Sequence, residues 1–149
     1  MEPEMAIADP PETPGIDREL TIAARPETVF AYLVEPDKMV RWMGRTAELD
    51  PRPGGLYRID YNGSDIVRGE FLEVDPPRRV VFSWGWEEPG SSTPPGSSTV
   101  EVTLTPVDGG TRLTLRHTGL GADEIDGHAV GWDQFLPTLV TIAAEAEPA

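Results

Sequence analysis

The chain contains no cysteine. Disulfides, thiol nucleophiles and thiolate metal sites are therefore excluded, and a disulfide-free domain is the form expected of a cytoplasmic protein. Histidine is nearly absent too. His117 and His128 are the two present, no third ligand stands at a convincing spacing, and no metal is expected. Basic residues are scarce: 12 Lys and Arg face 26 Asp and Glu, a formal charge of −14. Such a field repels phosphates, so neither nucleic acid nor an anionic membrane surface is an expected partner. Solubility is the first reading of this acidity, and steering of a cationic ligand is the alternative. No apolar run approaches the roughly 18 residues of a membrane span. Nucleotide fingerprints are missing as well. Gly54-Gly55 and Gly109-Gly110 read as turns, Arg78-Arg79 is too short and too hemmed by acid to bind nucleic acid, and Ser83 has no nucleophile-elbow context. No cofactor is expected.

What is present is enough chain for one ordinary domain of 149 residues. Residues 1–15 hold four acidic residues, no basic one and four prolines. They predict a disordered acidic tail and lack the basic start and apolar run of a signal peptide. The folded domain is expected over residues 16–146. Alternation predicts a first strand over 16–23, and Pro26 then opens a helix with Val29, Phe30, Leu33 and Val34 on one face. Pro36 ends it, and a second short helix is expected over 37–43. Strands follow over 46–50, 56–61, 65–74, 79–87, 99–106 and 112–118. Asn62-Gly63 signals a hairpin, and the polar stretch 89–98 a long mobile loop. A final helix is expected over 125–144, with Ile125, His128, Ala129, Trp132, Phe135, Leu136, Leu139 and Ile142 at helical spacing and Pro137 predicting a kink near Asp133.

Two short helices between a first strand and a meander, closed by a long apolar helix, give an α+β domain. A curved antiparallel sheet of about six or seven strands wraps that last helix. Gly55, Gly63, Gly69 and Gly85 are candidate bends. Three runs carry a family resemblance: GEFLEVDPPRRVVFSWGWEEP from Gly69, STVEVTLTPVDGGTRLTLRHTGL from Ser98 and HAVGWDQFLPTL from His128. They resemble the START-like (SRPBCC) helix-grip superfamily, in the AHSA-like branch named for the activator of the heat-shock chaperone ATPase. The resemblance implies a ligand pocket between the sheet and the last helix. It does not fix function, since the superfamily includes lipid binders, cyclases and resistance proteins.

The candidate ligand-binding set is the aromatic group Trp42, Tyr57, Tyr61, Phe71, Phe82, Trp84, Trp86, Trp132 and Phe135, together with Ile59, His117 and His128. Large rings on a curved sheet cannot fill all the space facing one helix, and Tyr and Trp bring polar handles to the cavity so left. His117, on the apolar face of its strand, is the best candidate for a catalytic proton carrier. The leading expectation is a monomer or homodimer that binds a small, largely apolar, aromatic or polyketide-like molecule, for sequestration or resistance. The alternatives are a cyclase, aromatase or dehydratase using His117, and a co-chaperone or regulatory interaction protein.

Overall fold

The computed structural model describes residues 15–146, so the expected tail lies outside the described residues but for Gly15. The chain runs β1 (Gly15–Ile22), α1 (Pro26–Val34), α2 (Pro36–Met39), β2 (Thr46–Leu49), β3 (Leu56–Asp60), β4 (Ile66–Asp75), β5 (Arg79–Trp84), β6 (Ser98–Val107), β7 (Gly110–Thr118) and α3 (Ile125–Ala146). The strands form one antiparallel seven-stranded sheet in the order β1-β7-β6-β5-β4-β3-β2. From β2 to β7 each strand pairs with the next in sequence. β1 joins at the far edge beside β7, so α1 and α2 carry the chain from one edge of the sheet to the other.

Local chemistry sets most boundaries. Pro26 begins α1, where its missing N–H needs no partner, and Pro36 follows its end. α2 is shorter than the expected 37–43. It stops at Met39 and continues as hydrogen-bonded turns through Met43, a path that lets the buried Trp42 donate its Nε1–H to the Tyr32 carbonyl at 2.9 Å. β3 and β4 form the hairpin that Asn62-Gly63 signals, and side chains build its loop. Asp60 Oδ1 accepts from the backbone N–H of Asn62 and Gly63, and Asn62 Oδ1 accepts from those of Ser64 and Asp65.

The sheet curves at two defects. A bulge in β4 falls between Phe71 and Glu73 and leaves Leu72 exposed. Beside it Gly69 passes so close to β5 that a Cβ there would lie 1.9 Å from the Ser83 carbonyl oxygen. β5 stops at Trp84, three residues short of the expected end. Gly85 runs against the Pro94 carbonyl, where a Cβ would sit 1.8 Å away, and Trp86 donates its backbone N–H to Thr93 at 2.7 Å. The loop over 85–97 therefore folds back on the strand end, with Thr93 buried, and is not the free polar loop expected there.

α3 spans 22 residues, about 33 Å, and runs unbroken through Pro137, which stands on its exposed side. Its buried residues Trp132, Leu136, Leu139 and Ala143 belong to one core with Val29 and Leu33 of α1 and the apolar face of the sheet, including Tyr57, Phe82, Val102, Leu113 and Leu115. Among the described residues no helix is long and apolar enough to cross a membrane.

Candidate functional site

The space between α3 and the sheet is of two kinds. Around Leu33, Trp42, Tyr57, Phe82, Leu115 and Leu136 side chains fill it, leaving a void of only about 10 Å³, less than one water needs. Around the first half of α3 it opens into a cleft of about 680 Å³. That is within the range of small-molecule sites.

Rings in contact build the cleft wall. Phe135 meets Tyr61 at a centroid distance of 5.5 Å, Tyr61 meets Trp86 at 5.7 Å, Trp86 stands edge-on to Trp84 at 6.0 Å, and Trp84 meets Trp132 at 5.3 Å. These aromatics come from the end of β3, the end of β5 and two turns of α3, so the wall exists only when the sheet and helix are both in place. The opposite side is made by omission. Gly127 and Gly131 lie one turn apart on α3, and a Cβ added at either would meet nothing within 4 Å. The mouth is formed by Asp65, by residues 88–92 of the folded-back loop, and by Glu124 just before α3. Ser92 Oγ donates to the Glu124 carboxylate and closes the loop onto the helix start.

Both histidines are tied to tryptophans. Trp132 Nε1–H donates to His117 Nδ1 at 3.1 Å, which leaves the imidazole proton on Nε2. From there it is donated to Ser98 Oγ at 3.0 Å, and the Ser98 hydroxyl donates on to the Trp84 carbonyl at 2.8 Å. Trp86 Nε1–H donates to His128 Nε2 at 3.0 Å, so Nδ1 holds the proton and donates to the Glu124 carbonyl at 2.9 Å. The two imidazoles stand perpendicular at 5.5 Å. Burial first, and the neighbouring His128 second, pull the His117 pKa down from 6.5 to about 3. Burial pushes the Tyr61 and Tyr57 phenols above their usual range, with Tyr61 adding to the effect at Tyr57. On the outer surface Glu87 is held below the carboxylate range by its hydrogen bond from Arg58, and Asp133 by that from Arg18.

The twelve expected ligand-binding residues thus divide. Tyr61, Trp84, Trp86, His128, Trp132 and Phe135 line the cleft. Trp42, Tyr57 and Phe82, with Trp132 again, surround the filled interior, where Tyr57 stacks on Phe82 at 4.0 Å. Ile59, Phe71 and His117 are fully buried and line neither space. Both nitrogens of His117, the expected proton carrier, are engaged by protein, away from the cleft lining. His128 is the histidine in the cleft lining. Sequence reading passed over Met43, Asp65, Glu88, Glu124, Gly127 and Gly131. The two glycines carried a signal, since glycine inside a helical pattern is unfavourable and asks for a reason. Three buried polar atoms have no partner among the described residues: Tyr57 Oη, Trp84 Nε1 and Thr93 Oγ1. Of these residues only Trp84 lines the cleft.

With this geometry in view, comparison with known proteins places the chain. The family model described as Activator of Hsp90 ATPase homolog 1-like protein matches residues 23–144. The solution structure of the AHSA1-like protein RHE_CH02687 from Rhizobium etli is 44% identical with a TM-score of 0.72, covering 93% of this chain and 87% of that one. Protein MLL2253 from Mesorhizobium loti superposes with a TM-score of 0.81 at 23% identity, covering 91% of this chain and all of the other. DynU16, a putative protein in the dynemicin biosynthetic locus, gives 0.76 at 22% identity over 90% of this chain and 48% of its own, a likeness of fold. No curated protein matches the chain. A helix-grip fold, a family match over most of the length and a close AHSA1-like relative together make this chain a member of the Activator of Hsp90 ATPase homolog 1-like family, the AHSA-like branch of the START-like (SRPBCC) superfamily.

Proposed function

We propose that the protein binds a small, largely apolar molecule in the cleft between α3 and the end of the sheet. One observation carries this reading: an aromatic-walled space of about 680 Å³ stays open while the rest of the same helix–sheet interface is packed solid. A packed core has no use for such a gap, because unfilled apolar space loses contacts. Burying about 200 Å² of ligand carbon contributes about 5 kcal/mol before ordering costs. Binding without turnover is favoured over a cyclase or dehydratase activity because His117 is fully buried and is not part of the cleft lining, where it would have to meet a substrate. Sequestration of an apolar metabolite is the role such a site serves best.

The test is an NMR shift titration of the indole N–H signals with a panel of neutral and charged aromatic molecules. Saturable shifts of Trp84, Trp86 and Trp132 are expected, and Gly131→Phe, which places a ring in the cleft, abolishes them while leaving the spectrum folded. A folded protein whose indole signals respond to nothing in the panel overturns the reading.

A further inference from the structure

The mouth of the cleft has one sign of charge. Asp65, Glu88 and Glu124 line it, and no Lys or Arg does. The nearby basic side chains are committed elsewhere. Arg58 and Arg68 pair with Glu87, Arg45 with Asp60, and Arg18 with Asp133. Among the described residues Glu88 has no ion pair, and the Asp65 carboxylate accepts only from the neutral Asn62 amide. Behind the carboxylates stand Tyr61, Trp86 and Trp84, electron-rich ring types that attract a cation. Trp84 adds a second kind of signal. It is 3% exposed, it is part of the cleft lining, and its buried Nε1–H has no acceptor among the described residues. The whole chain, at −14, concentrates cations around this opening.

Resting on the binding function proposed above, we infer that the ligand is an organic cation: an apolar, aromatic-sized body bearing an amine or quaternary ammonium group. The body fills the ring-walled cleft. The cationic group sits between the Tyr61 and Trp86 rings and the carboxylates of Asp65 and Glu88. The three carboxylates exclude anionic molecules of the same shape.

Three naphthalene probes separate this inference from the reading beneath it: 1-naphthylmethyl-trimethylammonium, its uncharged isostere 1-neopentylnaphthalene, and 1-naphthylacetate. Each is titrated into the full chain and followed by the indole N–H shifts. The ammonium probe is expected to bind about tenfold more tightly than the isostere at low salt, and naphthylacetate more weakly than either. Asp65→Asn combined with Glu88→Gln narrows the ammonium preference over the isostere severalfold, and added NaCl does the same. Equal binding of ammonium and isostere, or tightest binding of naphthylacetate, overturns the cation inference and leaves the cleft as a site for neutral or anionic molecules. Failure of all three to shift any indole signal of the folded protein removes the binding reading and the cation inference with it.

Discussion

His117 is held neutral by its partners as well as by burial. Its Nδ1 must accept from Trp132 and its Nε2 must donate to Ser98, and protonation of Nδ1 would set two donors against each other. The folded-state pKa of about 3 lies below the unfolded 6.5, so below pH 6.5 the unfolded chain takes up a proton that the folded chain refuses. Stability from this group is complete above pH 6.5 and is lost as pH falls toward 3, by about 1.4 kcal/mol per unit. Glu87 and Asp133 act in the same direction at lower pH, because their pKa values are also depressed, so the histidine is isolated by comparison. His117→Gln keeps one donor and one acceptor without the titration. Urea unfolding at steps from pH 7 to pH 4 is expected to show a steeper loss in the wild type than in the variant. Parallel slopes would mean that His117 takes up its proton in the folded protein.

At the scale of elements, α3 contains the clearest conflict between stability and site. Glycine inside a helix costs about 1 kcal/mol relative to alanine, and this helix has two, one turn apart. Nothing stands within 4 Å of a Cβ at either position, so packing does not demand them. What they leave is the floor of the cleft. Gly131→Ala is therefore expected to raise stability by about 0.5–1 kcal/mol in chemical denaturation while weakening the best naphthalene probe. A neutral or destabilising result would show that the backbone there depends on glycine for another reason. The elements themselves were legible because their periods are strong. Val100, Val102 and Leu104 alternate in β6, and Trp132, Leu136 and Leu139 recur in α3. The end of β5 was not legible, because it depends on Gly85 meeting Pro94, a contact made only after the loop returns. The wall of the site was half legible. Phe82 and Trp84 occupy equivalent positions on one strand face, yet Phe82 stacks on Tyr57 in the core while Trp84 lines the cleft. Alternation assigns a face of the sheet, and only the placement of α3 over that face separates core from cavity.

For the molecule as a whole, the question is whether its charges hold it together or push it apart. The ion pairs are numerous on the outer face and edges: Arg79 bridges Glu73 and Glu101, Arg116 holds Asp17, Arg112 holds Glu19, and Arg18 holds Asp133 across to α3. All are partly exposed, and such pairs contribute about 0–1 kcal/mol each. Against them stand 26 acidic residues and 12 basic ones, so even complete pairing leaves 14 carboxylates without a cation. Two like charges about 10 Å apart in water repel by roughly 0.4 kcal/mol. Residues 15–146 alone carry 21 acidic and 12 basic residues, and their surplus of nine, within an expected radius of gyration of about 14 Å, forms many such pairs, which together exceed what a handful of surface bridges returns. Screening acts on both, but contact pairs at about 3 Å are weakened less than repulsions spread over a Debye length of about 10 Å at 0.1 M salt. Raising NaCl from about 10 mM to about 200 mM is therefore expected to raise the melting temperature by a few degrees, about 3 °C for each kcal/mol of repulsion removed. The same salt is expected to weaken the cationic probe. A cation held at the cleft mouth relieves part of the repulsion that salt relieves, so the stabilisation it confers should be largest where the protein alone is least stable, at low ionic strength. A melting temperature that falls with NaCl would mean that the bridges of the outer face outweigh the surplus acid.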